Sequence, residues 1–225
     1  VMVIELLGTR LIAPFYGASL YVWSSLISVT MIALAVGYFV GGRWADKAKR
    51  TGLSLIIALA ALFTILIPWA TRPVLLMTDP LGLRGGAFTS ALVLFFPSLA
   101  LLGMVGPFAI KLATSQLDGV GSSSGTIYAV STVGSVVGTL LLGFFLFPLV
   151  GSRQILVSLG LLLFVLAVAV AVYEQKHFAK TIAVLPCTIL ALAGLCLVPK
   201  IVGAGHVPPD GRFNVISERE TLYGY

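Results

Sequence analysis

Leu53-Ser-Leu-Ile-Ile-Ala-Leu-Ala-Ala-Leu-Phe-Thr-Ile-Leu-Ile-Pro-Trp-Ala-Thr71 decides the fold class, because these nineteen consecutive residues hold no Asp, Glu, Lys or Arg. At 1.5 Å per residue, a helix of this length matches a hydrocarbon core about 30 Å thick. Working outward, five more charge-free runs occupy 20–42, 85–110, 119–152, 154–173 and 181–199. The 225 residues are 59% hydrophobic and 10% charged, where soluble domains average about 25% charged. Mean hydropathy is +1.08. The chain reads as all-α, a polytopic transmembrane bundle. Disorder, a collagen-like fibre, a disulfide-stapled secreted domain and a zinc module are excluded by the same composition.

The net charge of +6 does not indicate nucleic acid. The basic residues sit at the ends of apolar runs, where Lys and Arg anchor helices and set topology, and they form no stripe with interleaved aromatics. Cys187 and Cys196 lie nine residues apart in one run, which puts them on opposite helix faces and out of reach of each other. With no His or acidic neighbours, they read as buried thiols.

About seven helices are expected: a first one up to Ala13, then 20–42, 53–71 or onward to Met77, 87–112, 124–149, 153–173 and 180–199. Pro14 stops the first, and thirteen residues reach only about 20 Å, too short to span. Since the sequence opens on Val1, a first helix truncated from a longer protein is expected, with Glu5 near the bilayer centre. The segment 73–83, broken by Asp79 and Pro80, is expected along the interface. After 200 the medium changes: Gly203, Gly205, Pro208, Pro209 and Gly211 make a linker over 201–211, and 212–225 alternates polar and apolar residues like the first strands of a soluble β-containing domain. The domain plan is thus a membrane part over 1–200, the linker, and a soluble start.

Small residues at four-residue spacing mark where backbones approach in lipid, which offers helices little hydrophobic force. Ala33, Gly37 and Gly41 share a face, and Gly134 and Gly138 form a GxxxG beside Ser131, Ser135, Thr139 and Gly143. These are helix-packing glycines. Gly103, Gly106 and Pro107 mark an expected kink. Among the charges, Glu5 and Arg10 lie within or near the membrane. An unpaired central carboxylate there costs several kcal/mol, so Glu5 is protonated, paired or facing water. At a spacing of five the two point about 140° apart and make a poor direct pair. Arg10 is an interfacial anchor or an intramembrane charge; Glu5 is a proton or cation site or a hydrogen-bond partner of a neighbouring helix.

Gly37-Tyr-Phe-Val-Gly-Gly-Arg-Trp-Ala-Asp-Lys-Ala-Lys-Arg-Thr-Gly52 runs off the second helix into a basic turn. It resembles the loop between helices two and three of the major facilitator superfamily, where glycines pack closely and an acidic residue forms a gating cluster with basic partners. The resemblance gives Asp46 the acidic place and Arg43, Lys47, Lys49 and Arg50 the basic one. A positive-inside loop with Asp46 as a helix cap accounts for the same residues.

A wider resemblance covers nearly the whole chain. Glu5-Leu-Leu-Gly-Thr-Arg-Leu-Ile-Ala-Pro-Phe-Tyr-Gly17, Val22-Trp23, the glycine-rich 37–52 turn, Leu102-Gly-Met-Val-Gly-Pro-Phe-Ala-Ile-Lys111 and Gly125-Thr-Ile-Tyr-Ala-Val-Ser-Thr-Val-Gly-Ser-Val-Val-Gly-Thr139 are similar to the membrane portion of fused major-facilitator/spermidine-synthase proteins. Ser217-Glu-Arg-Glu-Thr-Leu-Tyr-Gly-Tyr225 resembles the start of that family's polyamine aminopropyltransferase domain. The resemblance implies a downstream domain that uses decarboxylated S-adenosylmethionine and polyamines. Its glycine-rich donor loop and catalytic acids do not occur between Val1 and Tyr225, so no catalytic, cofactor-binding or metal residue is assigned in this sequence. Gly119-Val-Gly-Ser-Ser-Ser-Gly125 follows no strand and reads as a polar turn, with 122–124 capping the fifth helix.

Alternate connections share a side. Those at 43–52, 111–123 and 174–180 carry Arg43, Lys47, Lys49, Arg50, Lys111, Lys176 and Lys180, against Arg72, Arg84 and Arg153 opposite. The positive-inside rule puts the first set in the cytoplasm of a multi-pass plasma-membrane protein. Seven helices then carry the tail outside, against the cytosolic location a synthase requires. Three functions follow: a membrane anchor that holds and feeds or regulates a spermidine-synthase-like domain, a major-facilitator-like transporter of a small cation or polyamine with Glu5, Asp46 and Lys111 as switch charges, and a purely structural anchor whose glycine ridges hold a homo-oligomer.

Overall fold

Residues 1–47, 52–113 and 120–178 are described in a computed structural model, and they are helical almost throughout. The helices are α1 (Met2–Tyr16), α2 (Leu20–Lys47), α3 (Leu53–Thr78), α4 (Gly82–Ala113), α5 (Val120–Leu140), the short α6 (Phe147–Leu149) and α7 (Ser152–Phe178). A 3₁₀ turn at Asp79–Leu81 reverses the chain between α3 and α4, and a π-helical segment at Leu141–Leu146 joins α5 to α6. The long apolar stretches that can cross a bilayer are Leu20–Lys47, Leu53–Ala113 (two passes divided at the 3₁₀ turn), Gly121–Leu149 and Ser152–Glu174. The expected seventh helix at 180–199, with Cys187 and Cys196, the linker 201–211, the β-containing start at 212–225 and the basic residues Lys49, Arg50 and Lys180 lie outside the described residues.

Three expectations are corrected. Pro14 lies inside α1, which continues to Tyr16 and ends at Gly17, whose φ of 79° is the left-handed region open to glycine. The segment 73–83 is not interfacial: α3 runs through Pro68 and Pro73 to Thr78. Proline is tolerated inside spanning helices because neighbouring helices, hydroxyls and local adjustment offset the one lost backbone bond. Residues 122–124 cap nothing, because they already lie within α5. In addition, α2 extends past the apolar run to Lys47, so Arg43 and Asp46 are helical residues.

Two reversals make α2 and α4 parallel, with α3 antiparallel between them in sequence. Packing follows this order: α2 lies chiefly on α4, and α3 on α7 and α4. One core cluster unites Ile4, Leu7, Ile12, Leu26, Phe95 and Leu99 from α1, α2 and α4. A second unites Ile56, Ala61, Ile65, Phe108, Phe164 and Ala167 from α3, α4 and α7. Outward faces carry exposed apolar side chains, among them Met31, Phe39, Phe144, Leu162 and Val165. Hydroxyls and a carboxylate are buried instead, namely Thr30, Ser54, Thr64, Ser90, Ser98 and Glu174. Apolar outside and polar inside, with Thr64 paired to Ser98 and Ser90 to Thr78, is the arrangement lipid solvent selects.

Candidate functional site

The residues singled out from sequence fall into three places. The first is the seam between α2 and α4. A Cβ on Gly37 would collide with Ala100 O and stand 3.0 Å from Gly103 Cα, and one on Gly41 would stand 2.7 Å from Met104 Cα. Backbones this close leave no room for any side chain, so Gly37 and Gly41 occupy the helix-contact positions expected of them. Gly103, expected at a kink, belongs to the same seam. α4 itself is helical through Pro97 and Pro107. The second ridge behaves differently. A Cβ on Gly138 would touch Val3 Cγ2 at 3.3 Å, whereas Gly134 has nothing within 4 Å. Among the described residues nothing covers the Gly134 face of α5.

The second place is the end of the bundle where α2, α4 and α7 finish and α3 begins. The Lys111 ammonium donates to Asp46 Oδ1 at 3.3 Å, across the ends of α2 and α4. Both side chains are largely exposed, so the pair is screened and energetically modest. Arg43 lies over the Phe39 ring at 3.7 Å, an in-helix cation–π contact that keeps the charge at the rim. Deeper in the same end sits a group that sequence reasoning missed. Glu174 is 1% exposed, and its carboxylate accepts from Gly52 N at 3.2 Å, from Leu53 N at 3.0 Å and from the Ser54 hydroxyl. The first amides of a helix have no partner within it. Gly52, the N-cap of α3 with φ 114°, has no side chain to supply one. Glu174 of α7 therefore caps α3 from 120 residues away in sequence, with the favourable sign for the positive end of the helix dipole. The detectable signal was a helix start lacking its own cap, together with a lone carboxylate closing an apolar run.

These two contacts put the ends at 47, 52, 111 and 174 on one side, as the alternation of connections required. Polar contacts mark the opposite side. Thr78 Oγ1 and the Tyr16 hydroxyl are 2.9 Å apart, Thr78 Oγ1 and Ser90 Oγ 2.6 Å, and the Tyr16 ring fills the space that a Cβ on Gly86 would need. Nearby, Arg84 Nη2 donates to the Tyr21 hydroxyl at 3.1 Å. Midway along, Thr64 and Ser98 pair at 2.7 Å between α3 and α4.

The third place is α1. Glu5 is half-buried, and Thr9 Oγ1 reaches its main-chain O at 3.4 Å. Arg10 lies over the Phe147 ring at 3.9 Å, which ties α1 to α6. The structure thus joins Asp46 with Lys111 but leaves Glu5 and Arg10 on a different helix from both. Among the described residues no three His, Cys, Asp or Glu side chains gather as a metal cluster would require. Comparison with protein-family models, curated proteins and solved structures returns no match.

Proposed function

We propose that the chain is the membrane module of a two-part protein: a multi-pass plasma-membrane bundle that anchors a spermidine-synthase-like aminopropyltransferase domain beginning near residue 212. The observation that supports an anchor is the clamp at Glu174. It fixes the end of α7, the last described element before the linker, onto the start of α3 through three hydrogen bonds. A domain carried beyond that point is held by a bundle with glycine-to-backbone contact between α2 and α4 and with hydroxyl pairs between α3 and α4. Decarboxylated S-adenosylmethionine and a polyamine acceptor are substrates of the downstream domain in this reading, and the bundle's own partner is lipid.

A second reading is favoured by the Asp46–Lys111 pair. It spans two helix ends at the stretch that resembles the major-facilitator gating loop, so a transporter of a small cation or polyamine is the alternative. The test expresses the complete reading frame and assays washed membranes for aminopropyl transfer and proteoliposomes for polyamine uptake. The anchor reading expects transfer activity that sediments with membranes and no uptake. Uptake without transfer, or a reading frame lacking a donor-binding glycine loop after Tyr225, overturns it. Labelling of single cysteines placed at Gly205 and Thr51, in a chain lacking Cys187 and Cys196, reports the side of the tail. Equal accessibility is expected of a cytosolic synthase domain.

A further inference from the structure

Between the first turns of α2 and α4, at the end opposite Asp46 and Lys111, lies an open cleft of about 260 Å³ lined by Tyr21, Ser24, Ser25, Ser28, Arg84 and Phe88. The α2 residues stand at i, i+3, i+4 and i+7, which is one continuous helix face. Arg84 and Phe88, four apart on α4, form the facing wall. We propose that this cleft binds a phosphoryl oxyanion, with Arg84 as the cationic anchor and the serine hydroxyls as donors.

The argument begins with hydroxyls. Several buried hydroxyls elsewhere in this bundle are used: Thr64 with Ser98, Thr78 with Tyr16 and Ser90, Thr71 with Ile67 O. A polar group in hydrocarbon without a partner is costly. Ser25 is only 8% exposed, lines the cleft and makes no hydrogen bond among the described residues, and Ser24 and Ser28 beside it are exposed and equally without one. Four consecutive face positions spent on Tyr and Ser in a spanning helix imply a polar occupant. The charge of the walls selects its sign. Arg84 donates to the Tyr21 hydroxyl, lies 4.9 Å from the centre of the Tyr21 ring and lines the cleft. No carboxylate lines the cleft, so a polyamine or metal cation finds no counter-charge there. A guanidinium in a fixed fork with several hydroxyl donors suits the oxygens of a phosphoryl group.

The source of that group is a lipid headgroup or free phosphate. The positions run from the first turn of α2 to about 12 Å along it, which spans headgroup and glycerol depth. Below, Ile27 and Met31 are exposed apolar residues on α2.

The experiment is native mass spectrometry of the full chain in detergent, titrated with dioleoyl phosphatidic acid and, separately, with dioleoylglycerol, which lacks the phosphoryl group. Thermal stability in inorganic phosphate is measured in parallel. One phosphatidic acid bound in preference to the glycerol lipid is expected, with affinity reduced about ten-fold by Arg84→Gln and also reduced by Ser25→Ala, a small change that preserves packing. Stabilisation by inorganic phosphate that Arg84→Gln abolishes, without lipid preference, assigns the same site to a free anion. Equal binding of both lipids with no phosphate effect overturns the proposal. So does phosphatidic acid binding or phosphate stabilisation that neither substitution alters.

Discussion

Removing the Glu174 carboxylate tests whether the bundle is held as described. In Glu174→Ala the amides of Gly52 and Leu53 and the hydroxyl of Ser54 lose their acceptor at a site with 1% exposure. A net hydrogen bond is worth about 1 kcal/mol, and leaving a buried donor unsatisfied costs about 1–3 kcal/mol. Loss of a helix cap by itself costs about 0.5–2 kcal/mol. Three donors give an expected destabilisation of about 3 kcal/mol, less whatever the α3 amides recover from water. Glu174→Gln keeps one acceptor for the two amides but loses the charge and turns an NH2 toward Ser54, so about 1 kcal/mol is expected. Ser54→Ala removes only the hydroxyl arm, and in the Glu174→Ala background its further effect should nearly vanish. The assay is reversible unfolding in mixed micelles by dodecyl sulfate titration, followed by circular dichroism. Equal small losses for Ala and Gln, or full additivity with Ser54→Ala, would refute the capping account.

Three further outcomes follow from the same geometry. Gly37→Leu should destabilise by about 3 kcal/mol or more, or prevent folding, because backbone of α4 occupies the space; Gly134→Leu, which meets nothing within 4 Å, should leave monomer stability within about 0.5 kcal/mol, and crosslinking will report any self-association it weakens. Asp46→Ala and Lys111→Ala in a double-mutant cycle should couple by less than about 1 kcal/mol, since both groups are exposed; a larger value by the same micelle titration counts against a screened surface pair. Thr78→Val should cost about 1–2 kcal/mol by leaving the Tyr16 and Ser90 hydroxyls short of a partner, and Ser90→Ala in that background should add little.

Charge-free run length located the spanning elements because, in lipid, one physical term dominates: each polar group placed in hydrocarbon is costly, so spans advertise themselves. The seam at Gly37 and Gly41 was legible for a related reason, since close packing is the main force left to spanning helices. The same four-residue signal at Gly134 and Gly138 was not decisive. It names a face able to approach a neighbour, not the neighbour, and among the described residues Gly138 meets one while Gly134 does not. Proline misled at Pro14 because its rule derives from water, where a freed carbonyl has easier alternatives than helix, and 73–83 was misread because Asp79 and Pro80 mark the turn after α3 rather than a break within an interfacial segment. Glu174 and the cleft residues escaped notice because their meaning is tertiary. Ser54 and Glu174 are 120 residues apart, and Ser25 acquires significance only when α4 brings Arg84 opposite it.

The close contact between α2 and α4 also bears on the choice between anchoring and transport. Alternating access needs an interface that opens at one end while it closes at the other, and gating charges belong on the two bodies that separate. Asp46 and Lys111 lie on α2 and α4, the two helices whose backbones meet at Gly37 and Gly41. Breaking the ion pair therefore frees two side chains at a rim, while the helices beneath stay joined by contacts that neither pH nor a passing cation can titrate. On the other flank, α7 is bound to α3 by Glu174 at that same end, and a Cβ on Gly160 would stand 3.2 Å from Ala61 O, so that contact is close as well. Movement in such a bundle has to come from elements that pack less, and among the described residues the Gly121–Leu149 stretch that begins with α5 is the clearest: 6% of its spanning window is buried, against 39% for Ser152–Glu174. If the chain transports, the mobile body includes α5 and whatever covers its Gly134 face, and Asp46–Lys111 belongs to the fixed one.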